Sequence, residues 1–537
     1  MFRFAGKTMS ATAAGACALI SRFRTDVGAN VAIMFAISAI PVLTAVGCVV
    51  DYSMASMVNA KLQAAADAAA LATVSSNSPI VAAAKANGNV SGGAAFANNF
   101  FNADVTAINN SANMSVTPSS TVTMSKTTIT ANVSFTGQVP TFFLGLIGYS
   151  NIPLSGSSAA TFTLPSYIDF YLMLDVSGSM SFPSTTAEQY RLIAVNPDWL
   201  NGGYPGGCQF ACHFTASQNC PQSSQGPYPP VGTTQHPGTN PLPGGYCQGF
   251  IISRLGTTPT SFAANTTNTQ NGQNNVNWSN TPVTTCATAG TTSCIQLRAD
   301  AVGYAVTALL SNAVSTASND GITNQFRVGL FPFIQNLCYS SVGSSSSCSV
   351  GLTTSIGSGS SINTFAQQLA TLLDTGQNAT LGSGGTHFEN ALNTMNLNVL
   401  PTTAGTGTAA SPLPYLFIIT DGSQDYQVQW NGNWSGSNQA TIIPPNSITT
   451  NDYCTIMKNR GITIAILYIP YSPIVNPNPS FADNEDGAAN NNIPNIPAAL
   501  QTCASTNFFY TASTPADIQS ALVTMFQQAV STAHITH

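Results

Sequence analysis

The chain is 537 residues long, more than one ordinary hydrophobic core can organise, so two or three domains are expected. Only 6% of it is charged, yet 44% is apolar, which excludes a disordered chain and fits an exported protein wetted by Ser, Thr, Asn and Gly. The net charge of −6 is uneven: Arg3, Lys7, Arg22 and Arg24 lead, and from Asp51 onward nine basic residues face eighteen acidic ones with no basic run, which excludes a nucleic-acid binder.

Residues 27–50, VGANVAIMFAISAIPVLTAVGCVV, carry no charge and are long enough to cross a bilayer as a helix, which takes about 20 apolar residues. Pro41 is tolerated within such a helix. Basic residues precede the span and Asp51 follows it. The positive-inside rule therefore leaves 1–26 in the cytoplasm and exports the rest. The alternative is a cleaved signal peptide, whose apolar core is normally about 7–15 residues. The next stretch, DYSMASMVNAKLQAAADAAALATV, is rich in Ala, Leu, Met and Gln, so the helix is expected to run on to about Ala72.

This N-terminal sequence, from RFRTDVGAN to AAADAAALA, resembles the TadE/TadG-type proteins of the Flp/Tad pilus-assembly system. The matching positions are Gly28, Asp51, Lys61, Gln63 and Asp67. The resemblance implies an inner-membrane protein, with its large C-terminal part in the periplasm and other pilus-assembly components as partners. A prepilin-type cleavage site with Glu shortly after the scissile Gly is not evident.

From about 81 to 165 the chain reads as β-rich. MSVTPSSTVTMS, TTITANVSFTG and SAATFTL alternate apolar and hydroxyl residues with period two. PTFFLGLIGYSNIPL is an apolar island, expected as a short helix or loop on the sheet. By analogy, a long helix on a small antiparallel sheet makes 51–165 a helical stalk and pilin-like α+β segment. Its only charged side chains beyond residue 80, Lys85, Asp104 and Lys126, carry no catalytic constellation.

At 168–180, IDFYLMLDVSGSM, an apolar run ends in Asp175, Ser177 and Ser179. This predicts a buried central strand whose end presents one carboxylate and two hydroxyls, a donor set suited to Mg²⁺, Mn²⁺ or Ca²⁺. Downstream, helices are expected at 296–314, 361–374, after the Gly-rich turn of 381–395, at 453–460 and at 514–529. Strands are expected at 326–334, 414–422, 461–469 and 507–512. Such a series builds a doubly wound sheet, whose sites form at the carboxyl ends of strands. Two further candidates fall there: Thr386 in GGT before a helix, and Asp421 after LFIIT.

Asp-x-Ser-x-Ser, a Gly-Thr loop and a strand-ending Asp-Gly, in this order, resemble the metal-ion-dependent adhesion site of von Willebrand factor A domains. The resemblance implies a Rossmann-like α/β fold over 166–537. Asp175, Ser177, Ser179, Thr386 and Asp421 would then hold a divalent cation, Mg²⁺ or alternatively Mn²⁺ or Ca²⁺, with a place left for an acidic group on a protein partner. The tail ITIAILYI…CASTNFFYTASTPADIQSAL resembles TadG-type A domains, which implies a Cys454–Cys503 disulfide.

Ten of the twelve cysteines lie between Cys208 and Cys503, an even number that suits disulfides in an oxidising compartment. Six of them, Cys208, Cys212, Cys220, Cys247, Cys286 and Cys294, fall in 181–295. This stretch is rich in Gly, Pro and Ser and reads as an insertion into the A domain. CQFACH within it admits disulfides, or a zinc site from Cys208, Cys212, His213 and Cys220. Its spacing is one residue too long for haem attachment. His387 reads as a surface or packing residue. The chain carries no G-x-S-x-G elbow, H-E-x-x-H or Walker loop. The function expected is that of a pilus-assembly protein with a metal-dependent binding domain and no enzymatic activity. A surface adhesin for an acidic ligand is the first alternative and a metal-assisted hydrolase the second.

Overall fold

The computed structural model describes residues 27–112, 114–195, 250, 253–254, 256, 283–374, 380–382, 385–425, 428–430, 433–435, 440–442, 452–471 and 493–535. They form two compact units that meet in sequence at Leu164 and Pro165.

The first unit opens with α1 (Val27–Val74), the one helix among the described residues long and apolar enough to cross a membrane. Its first half is exposed on nearly every side. Beyond Asp51 a stripe of Ala55, Val58, Leu62, Ala65, Ala66, Ala69 and Ala70 is buried, the three- and four-residue spacing of one helix face. The stripe packs on a three-stranded antiparallel sheet of β1 (Ser115–Ser125), β2 (Thr128–Pro140) and β3 (Asn151–Thr163), in that spatial order. Small alanines let the helix backbone approach the sheet, where Val133, Phe135 and Leu154 complete the core. Gln63 fixes the register by donating to the Ser157 carbonyl at 2.9 Å.

The sequence reading of 81–165 as β-rich is corrected at its start. Residues 79–112 hold two helices, α2 (Pro79–Asn87) and α3 (Gly93–Ala112). Ala97, Phe101 and Val105, spaced by four, bury one face of α3 against α1 and the sheet. The apolar island becomes a 3₁₀ turn, Leu144–Ile147. Asp51 holds it by accepting amides from Phe142, Phe143 and Leu144 at 3.1, 2.9 and 2.7 Å.

The second unit is built on a six-stranded sheet. Its strands are β4 (Ile168–Asp175), β5 (Phe326–Phe333), β6 (Val350–Thr353), β7 (Leu413–Thr420), β8 (Thr463–Tyr468) and β9 (Phe509–Thr511). The spatial order is β9-β8-β7-β4-β5-β6, and all neighbours are parallel except β5 and β6. All eight residues of β4 are buried, because helices cover both faces of the sheet. Phe170, Leu172 and Leu174 face α5 (Arg298–Asp320) and the closing helix α10 (Pro515–Ile535). Tyr171 and Met173 face α7 (Phe388–Thr394), α8 (Tyr453–Asn459) and α9 (Ile496–Cys503). Phe170 alone meets the rings of Phe326, Tyr415, Phe417 and Phe526 at 5.2–5.9 Å. Truncating such a ring to Ala removes about 3–5 kcal/mol.

Most expected elements of this unit form within a few residues of their expected ends. The stretch 361–374 splits into α6 (Ser361–Gln367), capped by Ser360, and a 3₁₀ turn at Leu369–Leu372. The Cys454–Cys503 disulfide is present, with Cys286–Cys294 and Cys338–Cys348 beside it. The edge strand β6 and helix α9 were not expected. The disulfide-closed loop 338–348 lies along the outside of β6, where Gly343 donates to Leu352 and Gly351 to Ser344 at 2.9 and 2.8 Å.

The stretch 181–295 begins with a helix, α4 (Thr186–Val195), rather than with loop alone. Glu188 stitches its two ends together by accepting amides of Gly290 and Gln296, each at 2.8 Å. Arg254 docks it on α5 through a buried two-point contact with Asp300 at 3.0 and 2.8 Å. Cys208, Cys212, His213, Cys220 and Cys247 lie outside the described residues.

Candidate functional site

The chain leaves β4 on one side for β5 and returns on the other as β7, so the strand order reverses between β4 and β7. A crevice at the carboxyl ends of such a pair is where doubly wound sheets place their ligands. Asp175 ends β4, and Asp421 directly follows β7.

Four of the five expected residues lie on these two adjoining ends. Asp175 turns back on its own loop, its Oδ1 accepting the Ser177 amide at 2.9 Å. The hydroxyls of Ser177 and Ser179 share a hydrogen bond of 3.1 Å, and the Ser179 hydroxyl also favours the charged form of Asp421. Thr386 is buried one strand further out. Its loop is held to the carboxyl end of β5 by the His387 amide, which donates to Ile334 at 2.9 Å, and no hydrogen bond joins Thr386 to the other four. The left-handed Gly382 lets that loop pass Gln335, into which a Cβ would run. His387 is buried and paired with Glu389 at 3.0 Å, so it packs and does not lie on the surface.

Two participants were not singled out in the sequence. Thr420 donates from its hydroxyl to Asp175 Oδ2 at 2.6 Å, while accepting the Gly422 amide at 2.8 Å. Arg298, at the start of α5, brings Nη1 to 3.6 Å from Asp421 Oδ2. The Pro470 carbonyl, at 2.9 Å, and the ring of Phe182, at 5.3 Å, hold the guanidinium there. In a chain with so few charges, a basic residue opening a helix in QLRADAV is a signal that could have been weighed. Gly422 must be glycine, because its backbone is left-handed and α9 packs where a Cβ would stand.

Burial sets the electrostatics. Asp175 and Asp421 are almost fully buried. Loss of water, and then the charge of Asp421, push the Asp175 carboxyl up to about 7, against the pull of the Ser177 and Thr420 hydroxyls and the Ser177 amide. Desolvation also raises Asp421, opposed by Arg298 and Ser179. Asp421 Oδ2 is buried and accepts no hydrogen bond. A buried carboxylate oxygen without a donor, beside a second carboxylate and three hydroxyls, is a donor set that a hard divalent cation fits. Among the described residues no group of three or more His, Cys, Asp and Glu side chains could hold a metal ion, so the donors at this crevice are two carboxylates and hydroxyls alone.

Residues 29–76 match the family described as "Putative Flp pilus-assembly TadE/G-like". No curated protein is significantly similar to this chain in sequence. Among solved structures it is distantly similar to the pilus adhesin SpaC of Lactobacillus rhamnosus GG in its open conformation. There the identity is 12% and the TM-score 0.30, over 78% of this chain and 34% of that one, so this chain spans about a third of the adhesin's length. The PilB minor pilin of Streptococcus sanguinis is 10% identical with a TM-score of 0.30, over 79% of this chain and 80% of that one. Proximal thread matrix protein 1 of the mussel byssus, solved with a zinc-occupied MIDAS motif, is 11% identical with a TM-score of 0.22, over 42% of this chain and 43% of that one. Likenesses this weak carry no argument about function.

Proposed function

We propose that this chain is a membrane-anchored component of a Tad-type pilus-assembly system whose 166–537 part is a von Willebrand factor A-type domain that binds a protein partner through a divalent cation. The anchor is the first half of α1, set in the inner membrane with 1–26 cytoplasmic and the remainder periplasmic. Asp175, Ser177, Ser179, Thr386 and Asp421 hold the cation, Mg²⁺ or else Mn²⁺ or Ca²⁺. When bound, it offers an open coordination place to a carboxylate of another pilus-assembly protein.

The observation that supports the reading is the Asp175–Asp421 pair at the reversal of strand order, with one buried carboxylate oxygen unserved. The TadE/G-like match over 29–76 supports the pilus context. Within the site, Thr420 and the Ser177 amide orient Asp175, and Arg298 steadies the charge of Asp421. The domain is read as a binder and not a catalyst, because the hydroxyls of Ser177, Ser179 and Thr420 are engaged with one another and with the two carboxylates rather than presented as nucleophiles.

The test uses the full chain in lipid nanodiscs, titrated with Mn²⁺ and followed by electron paramagnetic resonance. One tightly bound ion per chain is expected, displaced by Mg²⁺ and lost in Asp175→Ala, and cells carrying that variant should lose pili. A variant that keeps both Mn²⁺ and pili would sink the reading. Cleavage of the 166–537 part by protease added to intact cells would move it to a surface adhesin.

A further inference from the structure

The connection from β2 to β3, residues 141–150 (TFFLGLIGYS), has no charged side chain and leaves large apolar groups in the open. Phe142 is 79% exposed, Leu146 82%, Ile147 51% and Tyr149 67%. A soluble surface does not usually gather such a patch without a partner for it. Its place along α1 indicates the partner. Phe143 sits on Gly47, where an added Cβ would overlap its ring, and Gly47 is the one buried residue among those described between 31 and 50. Gly47 lies three residues before Val50, the end of the uncharged span, about 4.5 Å along the helix axis at 1.5 Å per residue. The loop therefore lies beside a segment that is itself apolar enough for lipid.

The backbone of the loop is fitted for that position. The amides of Phe142, Phe143 and Leu144 go to Asp51. Those of Thr141, Leu146, Gly148 and Tyr149 go to carbonyls within the loop at 3.0–3.2 Å. A segment that enters the edge of a bilayer has to satisfy its polar backbone internally in this way. Tyr149 is of the residue type that belongs at the headgroup level.

We infer that loop 141–150 is a second membrane contact, an apolar wedge set into the outer interface of the lipid bilayer beside α1 and pinned there by Asp51. The inference rests on the reading of α1 as membrane-spanning. A wedge fixed to the helix would set the height and tilt of the antiparallel sheet above the membrane, which a single helix leaves free.

The full chain in nanodiscs of phosphatidylethanolamine and phosphatidylglycerol, doped with phosphatidylcholine bearing a diazirine near the carbonyl end of one acyl chain, provides the test. After illumination, mass spectrometry maps the lipid adducts. Adducts are expected on 142–149 as well as within 31–50. In a Phe142→Ser/Leu146→Ser variant, whose changes fall on exposed side chains, loop adducts should fall about tenfold or more, the factor for withdrawing one large apolar side chain from lipid. Those on 31–50 should persist. Adducts confined to 31–50 would overturn the wedge but keep the anchor, and so would protein–protein cross-links in place of lipid on the loop. Absence of adducts from both segments would overturn wedge and anchor together.

Discussion

Asp51, midway along α1 in the first unit, and Asp421, just after β7 in the second, are both buried carboxylates, and they meet opposite fates. Asp51 receives three backbone amides, and its charge is answered by the chain itself. Asp421 keeps one oxygen without any hydrogen bond and has a guanidinium 3.6 Å away, while a second buried carboxylate, Asp175, raises the local negative charge. A carboxylate whose demand is met inside the fold is part of the architecture. One that keeps an oxygen unserved is where the proposed cation would sit. Asp300, gripped at two points by Arg254, belongs with Asp51.

Asp300→Ala should have the largest effect on stability. It strips the buried Arg254 guanidinium of its carboxylate, a loss of about 3–5 kcal/mol, read as a lowered urea midpoint for the second unit. A change below about 1 kcal/mol would mean that the pair is dispensable and that Asp300 does not belong with Asp51.

The next effect is in pH. The Asp175 carboxyl titrates near 7 in the fold but near 3.9 in an unfolded chain. The folded form thus holds its proton over that interval, and stability without metal should fall as pH rises from about 4 to about 7. This is the reverse of an ordinary ion-paired aspartate. In EDTA the thermal midpoint should be higher at pH 5 than at pH 8, and added Mg²⁺ should raise the pH 8 value more. A cation at about a hundred times its Kd contributes about 2.7 kcal/mol. A midpoint that rises with pH in EDTA, with no response to Mg²⁺, would place Asp421 and Asp175 among the satisfied carboxylates.

The smallest effect is expected at Asp51. Asp51→Ala frees the amides of Phe142, Phe143 and Leu144, so hydrogen exchange should quicken in 142–149 while the second unit keeps its protection. Unchanged exchange in the loop would show that Phe143 on Gly47 holds it without help.

The elements legible in the sequence were those with a strong period and long apolar runs. β4 announced itself as IDFYLMLD because both faces of its sheet are covered, and α5 and α10 by their amphipathic spacing. α3 was hidden by its neighbourhood. Its Ala97, Phe101 and Val105 stripe stands in an Asn- and Ala-rich stretch just before hydroxyl-alternating strands, whose period-two pattern masks the weaker helical one. β6 has four residues, too few for any period to register. At the site, the Asp and Ser residues could be read because their types and order are unusual after apolar strands. The roles of Thr420 and Arg298 could not, since a hydroxyl at 420 acts on a carboxylate at 175 only once β4 and β7 lie side by side.

The loop closed by Cys338 and Cys348 has a further effect at the rim of the large sheet. It lends its own backbone to the outer side of β6, while the opposite rim, β9, is three residues long. Neither border offers a run of free amides and carbonyls onto which a neighbouring chain could zip. The second unit is thereby guarded against growing into fibres of its own through strand-to-strand stacking.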